Sequence, residues 1–427
     1  MKSEISRRKL LTTVAAGAGA VALGRFAGAA DAQQKRAADR LPPFTGPGAN
    51  PYWTSVGPVA TYPQKVPLIL LTDRPVQLET PQHYFLNAFT PNGAFYVRWH
   101  LDEIPDTVDL GEWRLEVTGN VAKPLKLSFS ELLSRFSSTS LAAVNQCSGN
   151  SRSRLQPRVP GGQWGNGAMG NAMWTGVRLA EILQAAGVKP GSLQVQFQGM
   201  DRGKGRAGLG SNAFLKSLDL SNPVIEECLL AYQMNGEPLP LLNGFPLRVV
   251  APGYFATYWM KALTTIRVLE KPDDNFWMKS GYRIPDTPRG TTTPAEVKAG
   301  TVKTIPIGRM PVRSFFAAPE ADAKVPLGMS VTLRGIAFSG YGRVTSVAVS
   351  ADDGRSWAPA RMGQDYGRYS FRTWEFSWKP QRRGPHTLAV RATDEKDNVQ
   401  TDEAVWNPGG YLWNRIERQQ IMVGAAE

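Results

Sequence analysis

A chain of 427 residues with 42% hydrophobic and 10% aromatic side chains is long and apolar enough for two ordinary cores, which excludes a fibrous or disordered class. Its 49 Lys+Arg against 36 Asp+Glu give +13 at pH 7, and the basic residues are scattered, which speaks against a nucleic-acid arm and leaves an anionic substrate or an acidic protein as partner. Two cysteines make no disulfide framework, although a Cys147–Cys228 bridge is one structural use of both.

The N-terminus carries Ser6-Arg7-Arg8-Lys9-Leu10-Leu11, a weakly apolar run to Leu23, and Ala30-Asp31-Ala32 as a small-x-small cleavage site. That pattern predicts a twin-arginine export signal over 1–32 and hence a periplasmic protein, exported already folded and often with its cofactor loaded. No later stretch reaches the roughly eighteen apolar residues of a membrane span, so none is expected in the mature form. Residues 33–63, rich in Pro, Gly and Ala, read as an extended arm.

Phe95 to His100 alternates as a strand, with Tyr96, Arg98 and His100 on one face. Three hydrogen-bonding side chains on one face are the reverse of a core face; they belong either to a solvated edge or to a site. Trp113 to Val117 reads as another strand, and Ser128 with Glu131 three residues on makes a capping box at a helix start.

The chain then reaches Asn145-Gln146-Cys147-Ser148-Gly149-Asn150-Ser151-Arg152-Ser153-Arg154. An apolar run, Leu141 to Val144, delivers one thiol to a loop of small and amide residues, and two arginines follow. A thiolate is the metal-binding form of cysteine, and guanidinium groups lower the thiol pKa towards it. The plainer reading, a buried small hydrophobe, sits poorly with so many glycines and arginines around it. Nucleophilic catalysis by Cys147 would need a histidine and an orienting group, and only three histidines exist. No Cys-x-x-Cys or His-x-x-x-His pair supports zinc or iron, and no Cys-x-x-Cys-His marks a haem.

Trp174 to Leu183 reads as a short helix ending near Gly187, and Val195 to Gly199 as a strand. The loop Met200 to Gly210, with Arg202, Lys204 and Arg206, lacks P-loop spacing. Glu227 to Gly236 is a strand with Cys228 buried in it and Tyr232 near its end, before the Asn235-Gly236 turn. Residues 284–306 read as a Pro-, Thr- and Gly-rich linker, and from Met310 short alternating strands separated by turns point to a β-sandwich of immunoglobulin type. The whole is an α+β protein: an N-terminal arm and catalytic domain over 33–305, and a sandwich over 306–427.

QCSGNSRS, followed by VPGGQWGNGAMGNAMWTGVRLAEIL, resembles the molybdopterin-dependent sulfite oxidases, most closely the bacterial sulfite dehydrogenases. The resemblance implies a molybdenum–molybdopterin cofactor with Cys147 as the protein ligand of the metal. It further implies that Arg98 contacts the substrate anion and that His100 holds the cofactor, with Tyr96, Ser148 and Asn150 beside them as cofactor contacts. Tyr232, in an Ala-Tyr-x-Met-Asn-Gly pattern, would reach into the substrate pocket; Arg248 and Lys261, in and after GFPLRVVAPG, would meet the pterin phosphate, although Tyr258 stands where many relatives carry arginine. Arg152 and, from the second domain, Arg372 would complete a ring of arginines around sulfite. The family also implies electron delivery to a separate c-type cytochrome and a homodimer built by the sandwich. A sulfane-sulfur dehydrogenase subunit or a molybdopterin-dependent sulfoxide reductase is the rival within the family, and an exported immunoglobulin-type binding module the rival outside it.

Overall fold

The computed structural model describes residues 59–60, 62, 64–73, 75–203 and 212–424. The export signal, most of the arm, and Lys204 and Arg206 lie outside the described residues.

The chain is mostly sheet with few short helices. Among the described residues, its first part holds three sheets of four or five strands. A small antiparallel sheet ends in the two-residue strand Val97–Arg98, paired with Val76–Glu79. A five-stranded sheet runs Ala213–Asp219, Gln194–Arg202, Leu263–Leu269, Leu115–Gly119, Leu125–Leu127, with one parallel pairing, between Leu263–Leu269 and Leu115–Gly119. A third sheet orders Glu237–Pro238, Leu229–Met234, Met169–Arg178 and Ser138–Gln146, with Arg248–Val250 also paired to Leu229–Met234. Asn235 and Gly236, at φ 54° and 79°, close the Met234–Glu237 hairpin as the left-handed turn pair that Asn-Gly favours.

The cysteine loop is the connection of one long hairpin. Ser138–Gln146 pairs antiparallel with Met169–Arg178, in register from Ser138 opposite Val177 to Gln146 opposite Met169. Cys147 therefore sits where the strand stops, its N–H donating to Ala168 O at 2.9 Å. Met169–Arg178 continues as strand through the stretch read as the start of a helix; the helix itself is Leu179–Ala186, closed by Gly187 at φ 66°. The capping box at Ser128 is present: its Oγ accepts from Glu131 N at 3.2 Å and Glu131 Oε2 accepts from Ser128 N at 2.8 Å.

Residues 284–306 are built rather than loose. Arg283–Pro285 pairs with Thr304–Pro306, and between them Pro294–Ala299 is a helix with a second capping box, Thr293 with Glu296. Beyond it two sheets face each other. One orders Arg313–Ala318, Val331–Phe338, Arg372–Trp378 and Arg361–Met362, and the other orders Lys324–Pro326, Glu417–Gly424, Gly384–Asp394, Val344–Ser350 and Ala358–Pro359. Alternating residues such as Leu333, Val347, Trp374 and Leu388 fill the space between them. The two parts share a core: Phe315 and Phe371 of the sandwich pack edge-on against Phe85, centroids 5.8 and 6.3 Å away. The strand that leads to Cys147 is itself tied to the sandwich, Val144 N donating to Tyr369 O at 2.9 Å.

Candidate active site

Where the third sheet meets the short Val97–Arg98 strand a cleft opens, with Cys147, 7% exposed, in its lining. Tyr96, Arg98 and His100 line it together, as their shared face anticipated, although regular strand covers only Val97 and Arg98. Tyr96 donates to Asn145 Oδ1 at 2.6 Å, and burial with the neighbouring Cys147 holds its hydroxyl well above the ordinary tyrosine range. Arg98 lines the cleft with one bond formed, Nη1 to Trp99 O at 2.8 Å.

His100 lies flat on Phe214, ring centroids 3.6 Å apart, and its Nε2 meets the hydroxyl of Tyr282. Burial, then the charges of Arg98, Lys261 and Lys216, hold the imidazole well below its usual pKa, so it is neutral at pH 7. Burial raises the Tyr282 hydroxyl, so the pair shares one proton between two neutral groups. Tyr282 is held at φ 54°, a conformation a tyrosine keeps only where its surroundings impose it.

Arg248 and Lys261 form the basic wall. Arg248, 3% exposed, has its guanidinium over the rings of both Trp174 and Trp259, and its Nη1 donates to Asn243 O at 2.9 Å. Burial lowers it to about 10, so it stays charged. Lys261 donates to Arg98 O at 2.7 Å, and burial with the Arg248 charge brings it to about 7. A third buried cation, Lys216, sits over the rings of Tyr258 and Tyr282.

Four other expected site residues are not part of the lining. Tyr232 is half-buried, its hydroxyl donating to Ser138 Oγ at 2.9 Å. Ser138 begins the nine-residue strand whose far end leads to Cys147, so Tyr232 stands on the order of 25 Å from the thiol. Arg372 gives its guanidinium to Gly363 O, at 2.8 and 3.2 Å, and to Val344 O, inside the sandwich. Asn150 is committed to its own loop, accepting from Ala168 N and donating to Asn166 O. Arg152 is bonded to Gly409 O and Gly162 O. Besides Tyr96, the tyrosine that lines the cleft is Tyr282, with Tyr411 of the second domain stacked on it at 5.6 Å. Gly281 and the aromatic run Phe276-Trp277 before Tyr282 are its only local mark in the sequence.

Cys147 and Cys228 are both free thiols, and burial pushes Cys228 well above the ordinary range. Neither serves a bridge.

The amino-acid pattern of two family models matches the chain. Residues 100–277 match the oxidoreductase molybdopterin binding domain, and residues 304–423 the Mo-co oxidoreductase dimerisation domain. Sulfite oxidase of Gallus gallus is 34% identical over 379 residues, covering 84% of this chain and 79% of that protein. The chain belongs to the sulfite oxidase family. A mitochondrial sulfite oxidase of Drosophila melanogaster is also 34% identical, with 82% of this chain but 62% of that longer protein covered. Among solved structures, the sulfane dehydrogenase SoxCD from Paracoccus pantotrophus superposes with a TM-score of 0.67 at 26% identity, over 83% of this chain and 88% of that one.

Membership brings a molybdenum–molybdopterin cofactor, and the cleft fits it. Among the described residues no group of three His, Cys, Asp or Glu side chains could hold a metal alone, so a metal at Cys147 needs its other ligands from a bound organic group. In that lining, buried polar atoms lack partners: Asn145 Nδ2, Ser148 Oγ, Arg248 Nε and Thr257 Oγ1. Buried polar atoms are rarely left so in native proteins, and a cluster of them lining one cavity marks where a polar ligand binds.

Proposed function

We propose that this molybdoenzyme oxidises sulfite to sulfate. Sulfite and one water give sulfate, two protons and two electrons. When bound, the cofactor supplies the oxygen-atom transfer and accepts the two electrons. The chain's residues do the rest. Cys147 is the one thiol in the cleft and the candidate metal ligand. Ser148, Tyr96, Arg248, Thr257 and Lys261 surround the remaining space with donors and positive charge, which suits an anionic pterin phosphate. Arg98 offers open N–H groups to the substrate oxygens and stabilises charge there without rearranging. The neutral Tyr282–His100 pair can pass a proton within the buried site. The observation that carries the reading is a single thiol and an open arginine facing one cavity edged with unpartnered polar atoms.

The electrons leave, on this reading, to a separate c-type cytochrome, since the sequence holds no haem-attachment motif. The N-terminal arginine pair supports twin-arginine export and a periplasmic site of action, with 33–305 as the mature catalytic domain. The strand order of 306–427 supports an immunoglobulin-type sandwich, and the match to a dimerisation domain supports a homodimer. Sulfane-sulfur oxidation is the second reading. It is favoured by the fold likeness to a sulfane dehydrogenase and by a cleft with one open guanidinium where a ring of three was expected. Molybdenum analysis of the purified protein, together with ferricyanide reduction by free sulfite, tests the proposal. A molybdenum-loaded protein that reduces no ferricyanide with sulfite, yet does so with a persulfide, would move the assignment to the second reading.

A further inference from the structure

We propose, on the reading of Cys147 as the metal ligand, that Arg313 and Glu417 of the second domain are positioning residues for it: through Ser151 and Asn166 they fix the loop that carries the thiol.

Arg313 and Glu417 each open a strand of the sandwich, Arg313–Ala318 and Glu417–Gly424. Both are buried, at 1% and 4% exposed, and both reach into the loop after Cys147. Arg313 Nη2 donates to Ser151 Oγ and to Asn166 Oδ1, each at 2.7 Å. Glu417 Oε1 accepts from Asn166 Nδ2 at 2.8 Å and pairs with Arg154 Nη2 at 2.6 Å. One domain therefore holds both ends of an amide whose backbone belongs to the other. From Asn166 the path to the thiol is short. Its carbonyl accepts from Asn150 Nδ2 at 3.2 Å, Asn150 Oδ1 accepts from Ala168 N at 3.0 Å, and Ala168 O accepts from Cys147 N at 2.9 Å. Asn150 N closes the ring on Cys147 O at 3.0 Å. Ser151 stands at φ 64°, a conformation a serine keeps only where its surroundings impose it, and the Arg313 bond is one of those that do.

Stability alone does not account for this cluster. Arg313 Nε and Nη1, Arg154 Nε and Glu417 Oε2 are buried without a hydrogen-bond partner among the described residues, and Arg313 Nη2 comes only within 3.8 Å of Glu417 Oε2. Burial lowers Arg313 to about 10, so it stays charged at pH 7. A buried ion pair so incompletely bonded is a poor source of stability, since apolar side chains of similar volume often serve as well or better. The bonds that are made run to the loop. From the opposite side Glu79, at the end of Val76–Glu79, accepts from Gly165 N and Gly167 N at 2.9 and 2.8 Å. Asn166 thus stands between two carboxylates, one from each domain.

The test compares Arg313→Met, Glu417→Ala and Leu333→Ala in the full chain. Leu333 packs in the core of the sandwich, so its truncation lowers stability without removing a bond to the loop. In chain prepared without cofactor, the rate at which iodoacetamide alkylates Cys147 is read by peptide mass spectrometry, with the fully buried Cys228 reporting global opening. In loaded chain, molybdenum per chain, kcat and KM for sulfite are measured. Arg313→Met and Glu417→Ala are expected to speed Cys147 roughly tenfold relative to Cys228, because the loop opens locally. Leu333→Ala should move both thiols by the same factor. The loaded Arg313→Met and Glu417→Ala chains should hold less molybdenum and show a lower kcat per bound metal, with KM within about threefold of wild type. If Cys147 gains no more on Cys228 in Arg313→Met than in Leu333→Ala, the two residues only stabilise and the proposal is overturned. Wild-type molybdenum content and kcat in both variants would overturn it as well. Should Arg313→Met fail to fold, Glu417→Gln, which keeps size and shape, takes its place under the same criterion. A wild type whose bound molybdenum shows no thiolate in X-ray absorption removes Cys147 as the ligand, and the alkylation rates still decide whether the sandwich places that thiol.

Discussion

The cleft and the core of the sandwich treat buried polar groups in opposite ways. In the sandwich, Trp374 is fully buried and its Nε1 reaches Ser314 Oγ at 3.0 Å and Ile336 O at 3.1 Å. Asp394, equally buried, accepts from Ser339, Lys396 and Asn398. Gln400 closes the same region, its Oε1 taking Ser314 N and Ala392 N. Around Cys147, by contrast, side-chain atoms of Asn145, Ser148, Arg248 and Thr257 have no partner, Lys261 is brought by burial to about 7, and so is Lys216 beyond the Tyr282 ring. An unmade buried hydrogen bond costs about 1–3 kcal/mol. Those three sandwich residues are therefore complete in themselves, and the cleft is complete only with a ligand.

The largest effect should come from the atom that joins chain to ligand. Cys147→Ser is expected to abolish sulfite turnover and to remove the thiolate contribution from the metal's X-ray absorption, with the far-ultraviolet circular dichroism unchanged. A serine variant that remains active would break the contrast at its centre. At one of those three sandwich residues the loss should be thermodynamic instead: Trp374→Ala leaves a large cavity and two stranded acceptors, costing about 3–5 kcal/mol in denaturant unfolding. Its molybdenum content per folded molecule should stay that of the wild type.

A smaller effect sharpens the contrast through pH. Lys216 is fully buried, with Nζ on Trp277 O at 2.7 Å. Burial, then the Arg283 charge, lowers it to about 7, while an unfolded lysine keeps its proton to roughly 10.4. Between those limits the unfolded chain binds more protons, so this group makes stability rise with pH there, by at most about 1.4 kcal/mol per pH unit. Below about 7 both states are protonated and the full cost of burial is present. Lys216→Met should therefore be stabilised relative to the wild type most at pH 6–7, with the difference shrinking to nothing near pH 10. A difference that is flat with pH would show that Lys216 is not a strained cation.

What the amino-acid order revealed and what it concealed follow from how local each contact is. Cys147, Ser148, Arg98, His100, Arg248 and Lys261 come to one cleft because short patterns announce them: a thiol among small residues, polar alternation on one strand, an arginine on a strand of valines. The alternating strands after Met310 were legible for the same reason. Tyr282 and Tyr411 were not. Tyr282 meets His100 across 182 positions of chain, and no period or motif encodes that encounter. Arg152 was legible as a basic residue near the thiol, but its direction is set by a carbonyl 257 positions later. The tyrosine picked instead, Tyr232, shares the right residue type and sits at the wrong end of the same sheet. Between 284 and 306, a composition of Pro, Thr and Gly masked the Thr293–Glu296 capping box that starts a helix there.

The smallest change isolates the contrast most cleanly. Thr257 is 3% exposed, lines the cleft, and its Oγ1 has no partner. Thr257→Val keeps the shape and removes the hydroxyl alone. In a finished core that exchange costs stability, because a bonded hydroxyl is lost; at an orphaned one it removes a desolvation penalty and gains on the order of 1 kcal/mol. The cofactor-free protein should accordingly melt higher with valine at this position. The loaded protein should melt lower and lose molybdenum faster on dialysis, because there the hydroxyl has found its acceptor or donor. Opposite signs in the two forms are what a cofactor-directed hydroxyl requires. Equal shifts would mean that Thr257 is bonded to water in both states and plays no part in holding the ligand.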